Sequence, residues 1–158
     1  MIPFQSYVHT APGRDEALAK LAALVLKHDP NADITNRPSG PMLPAKQVFP
    51  HHQHKLSFGW GDICKTLGIW DGNKITERVV PRDSIQDVPV KQLVATQPTV
   101  WADTIEKYLK QPPAAWSTSE TPLFVLRNGK YYVFDGHHRL AASILLKRPT
   151  VTGQVVPL

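Results

Sequence analysis

Two apolar runs joined by Asn128-Gly129 constrain the fold of this chain more than any other feature of its sequence. The runs occupy residues 123–126 (LFVL) and 131–134 (YYVF). Asn-Gly readily adopts the two-residue turn between antiparallel strands, because both of its residues accept positive φ angles. The sequence therefore predicts a β-hairpin in the C-terminal half of the chain.

Helices and strands are expected on both sides of the hairpin. Residues 88–90 open a short strand, and a helix follows over 99–110, where Thr99 can cap its first turn. After the hairpin, a helix is expected over 137–147 and a closing strand over 150–156. This order predicts an α/β (α+β) fold, a compact mixed sheet with flanking helices. The apolar face of the earlier helix consists of Trp101, Ile105, Tyr108 and Leu109.

The N-terminal part of the chain predicts a helical extension with a proline-rich connection. A helix over 12–28 has apolar residues at helical spacing, acidic residues near its start and basic residues near its end. Prolines crowd the segment 29–53, which has no sustained apolar period and predicts an irregular connection. A shorter helix is expected over 61–67 and a strand over 74–80. The expected domain boundaries are 1–86 for the extension and 87–158 for the α/β domain.

Composition limits the classes of function. The chain has 158 residues, with 18 basic against 13 acidic side chains and a net charge of +5 at pH 7, which favours anionic partners such as nucleotides or nucleic acid. No apolar run approaches the ~18–20 residues of a membrane span, and no secretion signal opens the sequence, so no membrane partner is expected. The single cysteine, Cys64, excludes an internal disulfide and a cysteine-rich zinc site. The expected location is cytoplasmic.

The strongest candidate for chemistry is the turn Asp135-Gly136 with the three residues after it. Gly136 joins a strand directly to a helix, so the amides of the first helical turn and the positive end of the helix dipole face beyond the strand. His137, His138 and Arg139 add donors suited to phosphate oxygens. Three potentially cationic side chains oppose the dipole, and an anionic ligand would remove that conflict. The alternative is a solvated turn without a ligand.

The segment 87–156 resembles the ParB/sulfiredoxin superfamily. The resemblance rests on 88–97 (VPVKQLVATQ), on 122–125 (PLFV) with the Asn-Gly hairpin, and above all on 135–142 (DGHHRLAA). It implies a compact α/β fold whose Gly136 turn holds nucleotide or nucleic-acid phosphate. Members of the superfamily include CTP-binding partition proteins, ATP-using sulfiredoxins, free amino-acid kinases, and stand-alone nucleases or ATPases.

Departures from the family pattern narrow this choice. Sulfiredoxins place a catalytic cysteine where this chain has His137, and Cys64 lies outside the matched segment. Sulfiredoxin chemistry is therefore not expected. Partition proteins follow this domain with a helix-turn-helix, which is not expected here because the chain ends at Leu158.

The residues expected to form the site fall into two sets. The turn and the end of the first matched strand would bind phosphate through Thr96, Gln97, Gly136, His138 and Arg139. Acid, base or metal-ligand roles would fall to Asp135, His137 and His138, with Asp135 as the ligand of a Mg²⁺ ion. Four acids are open as neighbours of the turn: Asp103, Glu106, Glu120 and Asp135.

The expected function is binding of a nucleotide (ATP or CTP) or of nucleic acid, with hydrolysis of a phosphodiester or phosphoanhydride bond. The protein would then be a DNase or an NTPase. One alternative is a non-catalytic module that binds DNA or a protein. A further alternative is a kinase of a small molecule such as an amino acid.

Two other groups of side chains are open to a functional interpretation. The histidines at 51, 52 and 54 could ligate a transition metal, but a solvated loop is favoured because no cysteine or acid supports them. The aromatic residues at 58, 60 and 70, with Lys55 and Lys65, could stack bases, but packing in a core is favoured. Cys64 is expected to be a small buried apolar side chain.

Overall fold

The computed structural model describes residues 13–32, 41–68, 80–111 and 121–158. Within these ranges the chain forms a mixed α+β fold, which confirms the predicted fold class. The helices are α1 (Arg14–His28), α2 (Trp60–Leu67), α3 (Ala102–Lys110) and α4 (His137–Leu145). The strands are β1 (Met42–Pro44), β2 (His51–His52), β3 (Ile85–Pro89), β4 (Leu93–Ala95), β5 (Thr99–Trp101), β6 (Leu123–Arg127), β7 (Lys130–Asp135) and β8 (Thr150–Pro157).

Six strands form one mixed sheet in the order β2-β4-β7-β6-β8-β3. Strands β2, β4 and β7 are parallel, β6 is antiparallel to β7, and β8 is parallel to β6 and antiparallel to β3. The C-terminal ends of β2, β4 and β7 therefore lie at the same end of the sheet as the N-terminal ends of β6 and β8. This end of the strands is called the edge of the sheet below. This edge is where α/β sheets commonly bind ligands.

The predicted hairpin is present and joins β6 to β7. Asn128 and Gly129 have φ angles of 53° and 76°, as the two-residue turn requires. Arg127 pairs with Lys130 across this turn, so the register of the hairpin is set by the turn itself.

Two apolar cores lie on the two faces of the sheet. On one face α1, α3 and α4 pack together, with Leu21, Ile105 and Leu140 buried in the larger core. On the other face α2 packs through Ile63 against the strands, next to Val125. The described N-terminal elements thus share cores with the C-terminal sheet, while the predicted boundary between 86 and 87 stays a prediction.

The beginning of α3 differs from the sequence prediction. Residues Thr99–Trp101 form strand β5, which pairs with β1, and the helix begins at Ala102 without a side-chain cap. Capping by Thr99 was therefore a wrong expectation, and Trp101 is 41% exposed rather than part of the apolar helix face. The physical reason is the antiparallel strand Met42–Pro44. It is distant in sequence, and its backbone provides hydrogen-bond partners for the backbone of β5.

The described residues 41–53 of the proline-rich segment are also more regular than predicted. They include β1, a short 3₁₀ turn and β2, and β2 extends the main sheet beside β4. Proline is tolerated here because β1 belongs to a two-stranded ribbon, where one side of each strand has no ladder. The strand predicted over 74–80 lies, apart from Val80, outside the described residues. No helix in the described ranges has the length and apolarity needed to cross a membrane.

Candidate functional site

Strand β7 passes into α4 through the single residue Gly136. Its φ of 92° and ψ of 24° are left-handed, and a Cβ there would lie 3.3 Å from Cβ of Pro122, so both conformation and space favour glycine. Glycine has no side chain that could cap the helix, and the first helical bond runs from the amide of Leu140 to the carbonyl of Gly136, at 2.9 Å. The earlier amides of the first turn have no acceptor within the helix, as at any helix start. The predicted strand-glycine-helix junction is therefore present.

His137 is buried, and its side chain links this junction to the end of strand β4 by a hydrogen bond. Its side chain is 5% exposed, and its Nε2 accepts a hydrogen bond of 3.0 Å from the amide of Thr96. The ring also contacts Phe49 edge to face, with the centroids 5.8 Å apart. Burial, followed by the neighbouring His138 and His52, lowers the pKa of His137 to about 3. The imidazole ring is therefore neutral at pH 7. Because Nε2 accepts a hydrogen bond, the single N–H proton of the ring is on Nδ1.

His138 makes a second link of the same kind. Its Nε2 accepts a hydrogen bond of 3.0 Å from the amide of Trp101, at the start of α3. Burial lowers the pKa of His138, although the charge of Asp103 acts in the opposite direction. The neutral ring links the two helices that begin near this edge of the sheet.

The protonation of these two rings changes the electrostatics expected from sequence. Three potentially cationic side chains follow Gly136, but both histidines have lowered pKa values and act as hydrogen-bond acceptors. Of these three residues, Arg139 is the one that keeps a positive charge at pH 7. The first turn of α4 therefore combines the positive end of the helix dipole with a single guanidinium.

Thr96 and Gln97 lie near the junction but use their polar groups within the protein. Thr96 donates its amide to His137, and its hydroxyl donates a 2.5 Å hydrogen bond to the carbonyl of Val133. The side-chain amide of Gln97 donates to the carbonyl of Thr99 at 3.0 Å. Both residues hold the backbone near the junction through these hydrogen bonds. Their predicted contact with a bound phosphate stays a prediction.

The four candidate acids separate into different environments. Asp135 is the last residue of β7 and directly precedes Gly136, and Asp103 is close enough to His138 to affect its pKa. Glu106 pairs with Lys110 at 2.7 Å, and Glu120 lies outside the described residues. Asp135 is therefore the acid that the chain itself places at the turn.

A metal site built from protein side chains is absent from the described ranges, where no three His, Cys, Asp or Glu residues form a group suited to an ion. Mg²⁺ often binds through one or two carboxylates together with ligand phosphates. Asp135 fits that mode as a single ligand, so Mg²⁺ stays a prediction.

A cleft of about 230 Å³ lies beside α4, on the side that faces β8. Arg139 and Ser143, one turn apart on the helix, form one wall, and Arg148 follows at its C-terminal end. The remaining lining residues are Pro122, Leu140, Thr150, Val151 and Thr152. The cleft thus reaches Pro122, the residue that a Cβ on Gly136 would meet, and two arginines are among its lining residues.

Gly153 fixes the position of β8 at this cleft. A Cβ on Gly153 would overlap the ring of Phe124 and lie 2.8 Å from the carbonyl oxygen of Pro122. Only glycine allows β8 to approach β6 so closely. The close approach brings residues 150–152 opposite α4.

Sequence reasoning missed the cleft residues other than Arg139. Ser143 was open to prediction, because a helix over 137–147 places it four residues from Arg139 on the same face. Arg148 gave no such signal, since it joins the cleft only through the reversal of the chain between α4 and β8.

The two other groups of side chains lie away from this cleft. His51 and His52 form β2 rather than a loop; His51 contacts the carbonyl of Lys91 at 3.1 Å, and the rings of His52 and His54 lie 5.2 Å apart. Among the remaining residues, Phe58 and Cys64 agree with the favoured alternatives, whereas Trp60 is 38% exposed and is not a core residue. Phe58 and Trp60 pack edge to face on the aromatic side chains of β7, Cys64 is 2% exposed, and Trp70 lies outside the described residues.

Comparison with known proteins gave no match among protein-family models, curated proteins or solved structures. The resemblance to the ParB/sulfiredoxin superfamily therefore stays a hypothesis, which rests on the segments 88–97, 122–125 and 135–142.

Proposed function

We propose that this protein is a ParB/sulfiredoxin-like, cytoplasmic domain that binds phosphate groups of a nucleotide or nucleic acid at the start of α4. The observation that carries the proposal is the juxtaposition of a glycine-initiated helix start with a cleft that contains Arg139 and Arg148. Backbone amides at a helix start and arginine forks are the two donor types best suited to phosphate oxygens. The net charge of +5 also supports an anionic ligand.

The residues of the turn have separate roles in this proposal. Arg139 contacts the phosphate, and the left-handed conformation of Gly136 sets the direction of the amides in the first turn. His137 and His138 are positioning residues, because each uses Nε2 to hold an amide of a neighbouring element. They keep the ends of β4 and β5 in register with the start of α4.

Binding without catalysis is the function that the histidines favour. A general base needs a nitrogen that is within reach of the reacting proton and a pKa near the operating pH. In His137 and His138 the acceptor nitrogen is already bonded, and both pKa values are lowered. Neither ring meets both requirements.

Hydrolysis of a phosphodiester or phosphoanhydride bond is the second candidate, and Asp135 favours it. This carboxylate stands one residue before Gly136, where it would act as a base or as a ligand of Mg²⁺. A Mg²⁺ ion bound there would neutralise charge on the phosphate oxygens.

Titration of the protein with ATP, CTP and a short DNA oligonucleotide by calorimetry tests the proposal. We expect binding that Arg139→Gln weakens about tenfold or more, because hydrogen bonds to a charged group contribute ~1.5–3 kcal/mol. Arg82→Gln is the matched control, since Arg82 is exposed and is not among the residues that line the cleft.

Absence of binding to all three ligands contradicts the proposal, as does an equal effect of the two substitutions. The same samples incubated with Mg²⁺ separate the two candidate functions. Release of phosphate or cleavage of DNA supports hydrolysis, whereas binding without any product supports a non-catalytic module.

A further inference from the structure

We infer that the cleft between α4 and β8 receives a terminal phosphate, attached to one organic substituent, in preference to an internal phosphodiester. The inference rests on the proposed function, because it assumes that the ligand carries phosphate. It adds which kind of phosphate the site selects, and it assigns a specificity role to Arg148.

The cleft lies on the side of α4 away from the contacts made by His138. That ring is bonded to the amide of Trp101 at the start of α3, whereas Arg139 and Ser143 face β8. Leu140 and Val151 contribute apolar surface, and both belong to the main core. The cleft is therefore bounded by elements that the core holds in place, rather than by side chains alone.

The size of the cleft limits what can enter it. Its volume of about 230 Å³ is below the ~300–1,000 Å³ of pockets that enclose whole drug-sized ligands. A single phosphate group fits, while a whole nucleotide must remain largely outside. A terminal phosphate needs one exit for its single substituent, whereas an internal phosphodiester has a substituent on each side.

The charge of the lining favours the same ligand. The lining residues in the described ranges include two arginines and no carboxylate. A terminal phosphate has about −1.5 to −2 charges at neutral pH and three free oxygens, whereas an internal phosphodiester has one charge and two free oxygens. Two lining arginines therefore match the charge of a terminal phosphate more closely than that of a diester.

Both arginines also take part in contacts within the protein. This does not prevent phosphate binding, because a guanidinium has five N–H donors and can serve a protein acceptor and a ligand together. Contacts within the protein would instead hold each guanidinium group in a fixed orientation, which favours bidentate hydrogen bonding to phosphate oxygens.

The ligand with this chemistry is either a free nucleotide or the phosphorylated end of a nucleic acid. Two pairs of probes separate these sources by calorimetry. The first pair is AMP and its cyclic 3′,5′-monophosphate, which differ in whether the phosphate is terminal. The second pair is one DNA oligonucleotide with a 5′-phosphate or a 5′-hydroxyl end.

We expect the wild-type protein to prefer the terminal phosphate about tenfold or more in at least one pair, and that pair identifies the source. Arg148→Gln removes most of this preference while binding through Arg139 persists. Arg148→Lys keeps the charge but loses the fork, so it retains part of the preference. Lys147→Gln is the matched control, since Lys147 is outside the lining and pairs at the surface with Glu16 at 3.7 Å.

The outcomes distinguish the inference from the proposed function. Equal affinity for both members of each pair overturns the inference and leaves phosphate binding in place. The inference is also overturned if Arg148→Gln and Lys147→Gln change the preference for a terminal phosphate equally. Failure to bind any probe overturns both. The side chain of Arg148 is exposed, and circular dichroism of each variant confirms that the fold is kept.

Discussion

At the scale of single residues, the surroundings of His137 determine what its ring can do. The same side chain in water would titrate near neutral pH and serve as an acid or a base. Burial among Phe49 and the elements of the main core, with an amide donated to Nε2, makes the neutral ring the stable form. A histidine in a motif of charged residues therefore contributes to structure here.

This protonation state predicts how stability depends on pH. The unfolded chain takes up a proton at His137 near pH 6.5, whereas the folded protein does so only near its pKa of about 3. The contribution of His137 is therefore complete above pH 6.5 and is lost as the pH falls towards 3. Between pH 7 and pH 5 this loss is about 2 kcal/mol of unfolding free energy.

Urea unfolding at pH 7 and pH 5 checks this prediction. His137→Gln should lose ~1–3 kcal/mol at pH 7, because the amide of Thr96 loses its best partner, but it should be less sensitive to acid than the wild type. His54→Gln is the control, as His54 is exposed. The assignment is wrong if His137→Gln and the wild type lose equal stability between the two pH values.

At the scale of elements, the decisive feature is the passage from β7 to α4 through one residue. A one-residue connection determines where the amides of the helix start point, and the left-handed conformation of Gly136 makes the connection sterically allowed. A Cβ on Gly136 would lie 3.3 Å from Cβ of Pro122, so the residue that precedes β6 lies beside the start of the helix.

A pair of glycine substitutions tests this junction. Gly136 and Gly68 both have positive φ, 92° and 70°, but a Cβ on Gly68 would meet no atom within 4 Å. Each change to alanine should cost about 1–2 kcal/mol for the left-handed conformation. Gly136→Ala should cost more, because its Cβ also crowds Pro122.

Thermal unfolding followed by circular dichroism measures both variants of this pair. An equal loss for the two shows that conformation alone requires glycine at the junction. Calorimetric titration of Gly136→Ala with ATP should also show weaker binding, whereas Gly68→Ala should bind as the wild type does.

At the scale of the whole molecule, the N-terminal helix and the C-terminal sheet share one core. Leu21 of α1 is 2% exposed and belongs to the same cluster as Phe124 of β6 and Leu140 of α4. Strand β2 also adds to the sheet beside β4. Loss of packing on α1 should therefore destabilise the sheet that carries the candidate site.

Leu21→Ala should destabilise the entire fold by about 2–5 kcal/mol, the usual effect of truncating a buried leucine. Leu26→Ala on the same helix is the control, because Leu26 is 37% exposed and should cost much less. Hydrogen exchange of the amides in β6 and β7 gives the readout. If Leu21→Ala leaves their protection unchanged, α1 is an independent extension, as the predicted boundary at 86 implies.

Sequence alone determined the features that depend on a few neighbouring residues. The Asn128-Gly129 hairpin, the glycine start of α4 and the apolar periodicity of α1 follow from φ preferences and side-chain spacing, which do not depend on distant partners. Tertiary structure decided the rest. Residues Thr99–Trp101 became a strand because Met42–Pro44 pairs with them, Arg148 reached the cleft by chain reversal, and burial made His137 neutral. Strand pairing and burial depend on residues far apart in the chain, so no local pattern encodes them.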